Sequence, residues 1–161
     1  MHIKILTTGG SIDKRYSTEE SNFVVGSPQI ERLLREGNVT FDYDIESLLR
    51  KDSLDVTPED RRKIVERVRA TPHRLVVMTH GTDTMIDTAR ALTSVSGKVI
   101  VLTGAMQPAA FKETDAPFNV GCAIAAVQVL SEGVYLVMNG RIFDPQTIRK
   151  DVGRDRFVEA G

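Results

Sequence analysis

The 161-residue sequence contains one cysteine, no tryptophan and only three histidines, and aromatic residues make up 6% of it. A single thiol, Cys122, excludes an intrachain disulfide framework, and one cysteine with three histidines gives no recognisable metal-ligand spacing. Cys122 lies in Gly121-Cys-Ala-Ile-Ala-Ala-Val, an apolar helical face, so a small core residue is a better reading than a nucleophile. No apolar run approaches a membrane span. The start, Met1-His-Ile-Lys, lacks the basic region and apolar core of a secretory signal, and the expectation is a cytoplasmic protein. An excess of basic charge is missing too: 21 Lys and Arg stand against 22 Asp and Glu, a net charge of -1, so nucleic acid is not an implied partner. Arg61-Arg62-Lys63 sits among Glu59, Asp60 and Glu66 and reads as a solvated helix face.

What remains is an ordinary globular composition, 41% hydrophobic and 27% charged, at a length that fits one domain with a real core. There is no internal repeat, low-complexity tract or linker. Short β-rich apolar runs recur at Ile3 to Leu6, Val39 to Ile45, Leu75 to Met78, Val99 to Leu102 and Val134 to Met138. Helical patterns lie between them at Pro28 to Glu36, Thr57 to Ala70, Asp83 to Val95 and Ala116 to Ser131. This alternation predicts a three-layer α/β/α fold with a mainly parallel five-stranded sheet. Thr57-Pro58-Glu59-Asp60 supplies an N-cap, a proline at the first helical position and acidic residues for the positive helix end. Asp13 to Val25 is polar and without periodicity, a candidate mobile loop.

Residues suited to chemistry fall where strands end, which is where open parallel sheets hold their ligands. Thr7-Thr8-Gly9-Gly10-Ser11 follows the first strand and His80-Gly81-Thr82-Asp83-Thr84 the third; Thr103-Gly104-Ala105-Met106 follows the fourth and the polar stretch Asp144 to Lys150 the fifth. Each has a plainer reading. Gly9-Gly10-Ser11 is also a tight turn, and it lacks both the three-glycine dinucleotide fingerprint and the Gly-Lys-Ser/Thr ending of a phosphate loop. Thr82 or Asp83 can equally cap the following helix, and Lys150 can be a surface lysine.

Taken in order, Thr8-Gly9-Gly10-Ser11-Ile12, Asp52-Ser53-Leu54-Asp55, His80-Gly81-Thr82-Asp83-Thr84 and Thr103-Gly104-Ala105-Met106 resemble the signature segments of the L-asparaginase and glutaminase amidohydrolases, from Ile3 to about Lys150. The resemblance implies hydrolysis of L-asparagine to L-aspartate and ammonia through a hydroxyl nucleophile, without metal or organic cofactor. It assigns the nucleophile to Ser11, where the family carries a threonine; the hydroxyl survives, with a freer rotamer. It assigns a second polar cluster to Thr82, Asp83 and Lys150. An ammonium is a poor base at neutral pH, so Lys150 must act in its neutral form or as an electrostatic partner.

For the substrate, the resemblance implies that Asp83 holds the α-ammonium and Ser53 contacts the α-carboxylate. Backbone amides near Ser11 and Thr82 would stabilise the oxyanion, and the Ala105 backbone would meet the departing amide. Full-length relatives carry a tyrosine in a Ser-Asn-Tyr stretch where this chain has Ser21-Asn22-Phe23; Tyr16, five residues after Ser11, supplies a phenol instead. Most family members continue into a second domain that contributes an acidic residue, and no counterpart of that residue is present. The expectation is therefore a short, one-domain member that forms a homo-oligomer and acts on a small amino-acid substrate. Two other functions fit the same residues: a glutaminase or related ω-amidase, since one methylene is worth only about 1 to 3 kcal/mol in a pocket, and an amino-acid-binding module with little turnover.

Overall fold

Alternation along the central strands decides the layering. In a computed structural model that describes residues 1–161, the chain runs β1 (His2–Gly9), β2 (Lys14–Ser17), β3 (Asn22–Val25), α1 (Ile30–Glu36), β4 (Asp42–Lys51), α2 (Pro58–Ala70), β5 (Leu75–Thr79), α3 (Met85–Leu92), β6 (Val99–Thr103), α4 (Ala116–Val129), β7 (Gly133–Met138), β8 (Arg141–Phe143), β9 (Ile148–Asp151) and β10 (Arg156–Glu159). Successive side chains of a strand face opposite ways. Ile3, Ile5, Val77, Val99, Val101 and Val137 accordingly pack with Ile30, Leu33 and Leu34 of α1 and with the buried face of α4. Their neighbours Leu6, Val76, Met78, Ile100, Leu102, Leu136 and Met138 pack on the other side with Ile64 and Val68 of α2 and Met85, Ala89 and Leu92 of α3. The result is the expected three-layer α/β/α arrangement.

The main sheet has six strands in the order β4-β1-β5-β6-β7-β8, with every pairing parallel except β7 with β8. The expected five strands are all present, and the sixth, β8, is a correction. Asn139 and Gly140 have φ of 54° and 74°, the two positive values that a tight hairpin turn needs. They fold Arg141–Phe143 back against Leu136–Met138. A three-residue strand carries too little hydrophobic pattern to be seen. The polar stretch Asp13 to Val25 is likewise no irregular loop, because β2 and β3 pair antiparallel within it.

The helix starts also sharpen. Thr57 caps α2 in a reciprocal box with Asp60. The third helix begins at Met85 instead of Asp83, with Thr84 as its N-cap and no side-chain capping bond. Capping by Thr82 or Asp83 is therefore ruled out. After β1 the chain crosses to β4 on one side, and after β4 it returns to β5 on the other. That reversal leaves a crevice at the carboxyl ends of β1 and β5, where the loops diverge to opposite faces.

Candidate active site

Glycines set the signature segments against one another at this crevice. A Cβ on Gly10 would lie 2.3 Å from the Gly81 Cα, one on Gly81 would lie 2.5 Å from the Ser53 Cβ, and one on Gly104 would lie 2.3 Å from the His80 carbonyl oxygen. Gly10 also has φ of +86°, a conformation that side chains resist. The parallel ladder between β1 and β4 slips between Thr7 and Gly9, and Gly10 then donates its N–H to the Lys51 carbonyl at 2.9 Å. These contacts bring the turn that Ser11 opens beside the segments of Ser53 and Thr82.

Thr82, Asp83 and Lys150 meet although the lysine is 68 residues from the threonine. The Lys150 ammonium, on β9, donates to Thr82 Oγ1 at 2.8 Å and to Asp83 Oδ1 at 2.6 Å. Thr82 is buried, whereas Asp83 is exposed with its second oxygen free of protein partners. Ser53 is buried in a short 3-10 turn, where its Oγ accepts the Asp83 N–H at 3.2 Å and its carbonyl accepts the Thr84 hydroxyl at 2.7 Å. Its own hydroxyl proton is thereby left to donate. Ala105 is buried in the turn after β6. That turn is held by Asp115, which accepts from the N–H groups of Met106 and Gln107, and by Asn119, whose Nδ2 donates to the Gly104 carbonyl at 3.0 Å.

Tyr16 stands on β2 directly opposite Phe23 on β3. The two rings pack edge to face at 5.6 Å, and Phe23 reaches Phe111 at 5.7 Å. Cross-strand partners project on the same face of a hairpin. The phenol missing at position 23 is therefore present on the neighbouring strand, 54% exposed and without a hydrogen bond to Ser11. Lys14 ties the hairpin to the Ser53 turn through Asp52 at 2.7 Å.

Two supporting groups escaped the sequence reading. His80 is fully buried, and its Nδ1 lies 2.8 Å from the Gly81 carbonyl. Since a carbonyl can only accept, Nδ1 carries the proton and Nε2 takes the Thr88 hydroxyl at 2.8 Å. Thr88 Oγ1 in turn accepts from Arg61 Nε at 3.2 Å. This one-way chain fixes the peptide that leads into Thr82, and burial lowers the His80 pKa to about 4, keeping the ring neutral. Asp13, two residues after Ser11, closes the base of the hairpin: its carbonyl accepts from Gly26 at 2.8 Å and its Oδ1 from Gln29 at 2.9 Å. Burial raises its pKa to about 7.

The family model of the asparaginase N-terminal domain matches residues 2–156. The chain belongs to the asparaginase family. It is 30% identical over 177 residues to L-asparaginase 2 of Escherichia coli, an alignment covering 99% of this chain and 50% of the relative. Against the glutaminase-asparaginase of Acinetobacter glutaminasificans the identity is 28%, with 94% of this chain and 50% of the relative covered. The thermostable L-asparaginase from Thermococcus kodakarensis superimposes with a TM-score of 0.85 at 26% identity, over 99% of this chain and 51% of that one. This asparaginase-family chain thus spans about half the length of the relatives it matches. No helix in it is long and apolar enough to cross a membrane.

Proposed function

We propose that the chain is an amidohydrolase that cleaves the side-chain amide of L-asparagine to give L-aspartate and ammonia. The observation that carries this reading is the Lys150 ammonium bridging Thr82 and Asp83 at 2.8 and 2.6 Å, with Gly10 packed on Gly81 so that Ser11 opens beside that cluster. Ser11 Oγ attacks the amide carbon and its proton passes to the departing nitrogen through the Tyr16 phenol. Backbone N–H groups near Ser11 and Thr82 hold the oxyanion, and the Ala105 backbone faces the leaving amide. Water then cleaves the aspartyl ester. Thr82, with its oxygen held by Lys150, orients either the Ser11 hydroxyl or that water.

The free oxygen of Asp83 takes the substrate α-ammonium, and the Ser53 proton takes the α-carboxylate. The cross-strand pairing of Tyr16 with Phe23 supports Tyr16 as the phenol donor, since it puts a phenol on the same face of the hairpin as Phe23. We read the chain as one catalytic domain without cofactor, cytoplasmic, and a homo-oligomer. Sedimentation at graded concentration tests the last point.

A glutaminase is the second reading, favoured by the relative named a glutaminase-asparaginase. Ammonia release from L-asparagine, L-glutamine and D-asparagine discriminates. Turnover fastest on L-asparagine is expected; faster turnover on L-glutamine would move the assignment to that amide. Asparagine binding with no ammonia from any of the three would replace the enzyme by a binding module.

A further inference from the structure

At the amino-terminal edge of the sheet, remote from the crevice, three side chains converge that the sequence keeps far apart. His2 opens β1, Asp44 lies on β4, and His73 stands two residues before β5. One ligand atom from each falls within 4.8 Å of the others. His2 Nε2 is 2.7 Å and His73 Nε2 3.7 Å from the same oxygen, Asp44 Oδ1, and the two imidazoles stack with centroids 3.9 Å apart. All three side chains retain solvent access, at 35%, 45% and 31% exposure for His2, Asp44 and His73.

We propose that His2, Asp44 and His73 form a binding site for one divalent transition-metal ion of the zinc type. Two imidazole nitrogens and one carboxylate oxygen are the donor set of such ions and not of calcium or magnesium, which take oxygen. Two ligands about 2.1 Å from a tetrahedral ion stand about 3.4 Å apart. The separations of 2.7 and 3.7 Å bracket that value, so His2 draws back from Asp44 by about 0.7 Å, His73 closes by about 0.3 Å, and the two rings splay to reach the ion. Water completes the fourth position from the open side.

The surroundings are built to hold the carboxylate. Lys4, with its side chain 7% exposed, pairs with Asp44 Oδ2 and with Glu46 at 2.8 Å, and Arg67 grips Glu46 through two bonds of 2.7 Å. Asp44 Oδ2 is thus anchored from behind while Oδ1 faces the imidazoles, the outer-shell arrangement that orients a metal ligand. Lys4 and Arg67 also balance Asp44 and Glu46, so the ion adds its charge to a neutral cluster instead of an anionic one. Selectivity then falls to nitrogen donors and not to bulk negative charge. The three ligands tie the starts of β4, β1 and β5 together, so occupancy stabilises the fold while the crevice at the opposite end is untouched.

Equilibrium dialysis of the untagged chain with ZnCl2 at neutral pH, followed by its melting temperature, tests the site. One zinc per chain and a zinc-dependent rise in melting temperature are expected, with no rise in MgCl2 or CaCl2 at the same concentration. His73→Ala and Asp44→Asn should each weaken binding at least about 10-fold and remove the thermal shift, whereas Cys122→Ser should bind as the parent does. No bound zinc, binding unchanged in His73→Ala, or binding lost in Cys122→Ser would each overturn the proposal. The His73 and Asp44 variants report on this site alone, since the ammonia assay reads the other end of the sheet.

Discussion

Replacing Asp13 with asparagine isolates a buried charge beside the candidate nucleophile. The Asp13 side chain is 3% exposed by residue, and burial moves its pKa from 3.8 to about 7. An acid whose folded pKa is raised binds more protons folded than unfolded, so its contribution falls as pH climbs from the unfolded to the folded value. About three pH units at about 1.4 kcal/mol each give an upper bound of about 4 kcal/mol lost between pH 4 and pH 7. His80 acts in the opposite sense: its pKa is lowered from 6.5 to about 4, so its contribution is complete above pH 6.5 and is lost as pH falls toward 4. The two slopes offset one another across that window in the parent chain.

Asparagine keeps an oxygen for the Gln29 N–H and removes only the ionisation. Urea unfolding from pH 4 to pH 8.5 for both proteins then gives a difference in which every other group cancels. Asp13→Asn should gain stability over the parent by up to about 1.4 kcal/mol per pH unit from pH 4 to 7, and the gain should be flat above. In the variant alone the His80 slope is unmasked, and stability rises with pH between 4 and 6.5. A difference that does not vary with pH, or that shrinks as pH rises, would mean that Asp13 carries no raised pKa in the folded chain.

Exchanging the paired aromatics tests the phenol: Tyr16→Phe should lower the rate of ammonia release at least about 10-fold, and the double variant Tyr16→Phe with Phe23→Tyr should recover part of it, measured as kcat. Lys150→Met and Thr82→Val should each cut kcat by at least about 100-fold while the melting temperature changes little; intact turnover in both would mean that the second cluster takes no part in the reaction. Thr88→Val strands His80 Nε2 and should cost about 1 to 3 kcal/mol of stability in urea, with a fall in kcat because the Gly81 peptide loses its anchor. Gly10→Ala should destabilise by more than the about 1 to 3 kcal/mol of its strained backbone conformation alone, since its Cβ would meet Gly81 Cα at 2.3 Å.

Much of the fold is legible because the central strands are short, β-branched and bounded by turn residues. Ile3, Ile5 and Leu6 announce β1, and Val99 to Leu102 announce β6, whichever faces they later cover. β8 is not legible in that way, because Arg141-Ile142-Phe143 owes its state to the turn at Asn139 and Gly140. The β2–β3 hairpin is hidden for a different reason: Lys14-Arg-Tyr-Ser and Asn22-Phe-Val-Val are largely solvated, so no buried face imposes a period on them. At the site, the glycine and hydroxyl segments are visible as strand-end motifs, and Lys150 is visible only by resemblance. Nothing local marks it before β9 carries it 2.8 Å from Thr82. The chain Arg61 to Thr88 to His80 joins two helices and a strand end, and the His2, Asp44 and His73 cluster joins three strand starts. Both depend on tertiary adjacency that no spacing along the sequence encodes.

The proposed asparagine amidase reaction rests on Ser11, backed by Thr82, Asp83 and Lys150. The most direct measurement is ammonia release from L-asparagine by the parent chain and by Ser11→Ala, with asparagine binding followed in parallel by calorimetry. Steady release by the parent is expected, with release at background in Ser11→Ala while binding persists. Equal ammonia release by the two proteins would contradict the role given to Ser11.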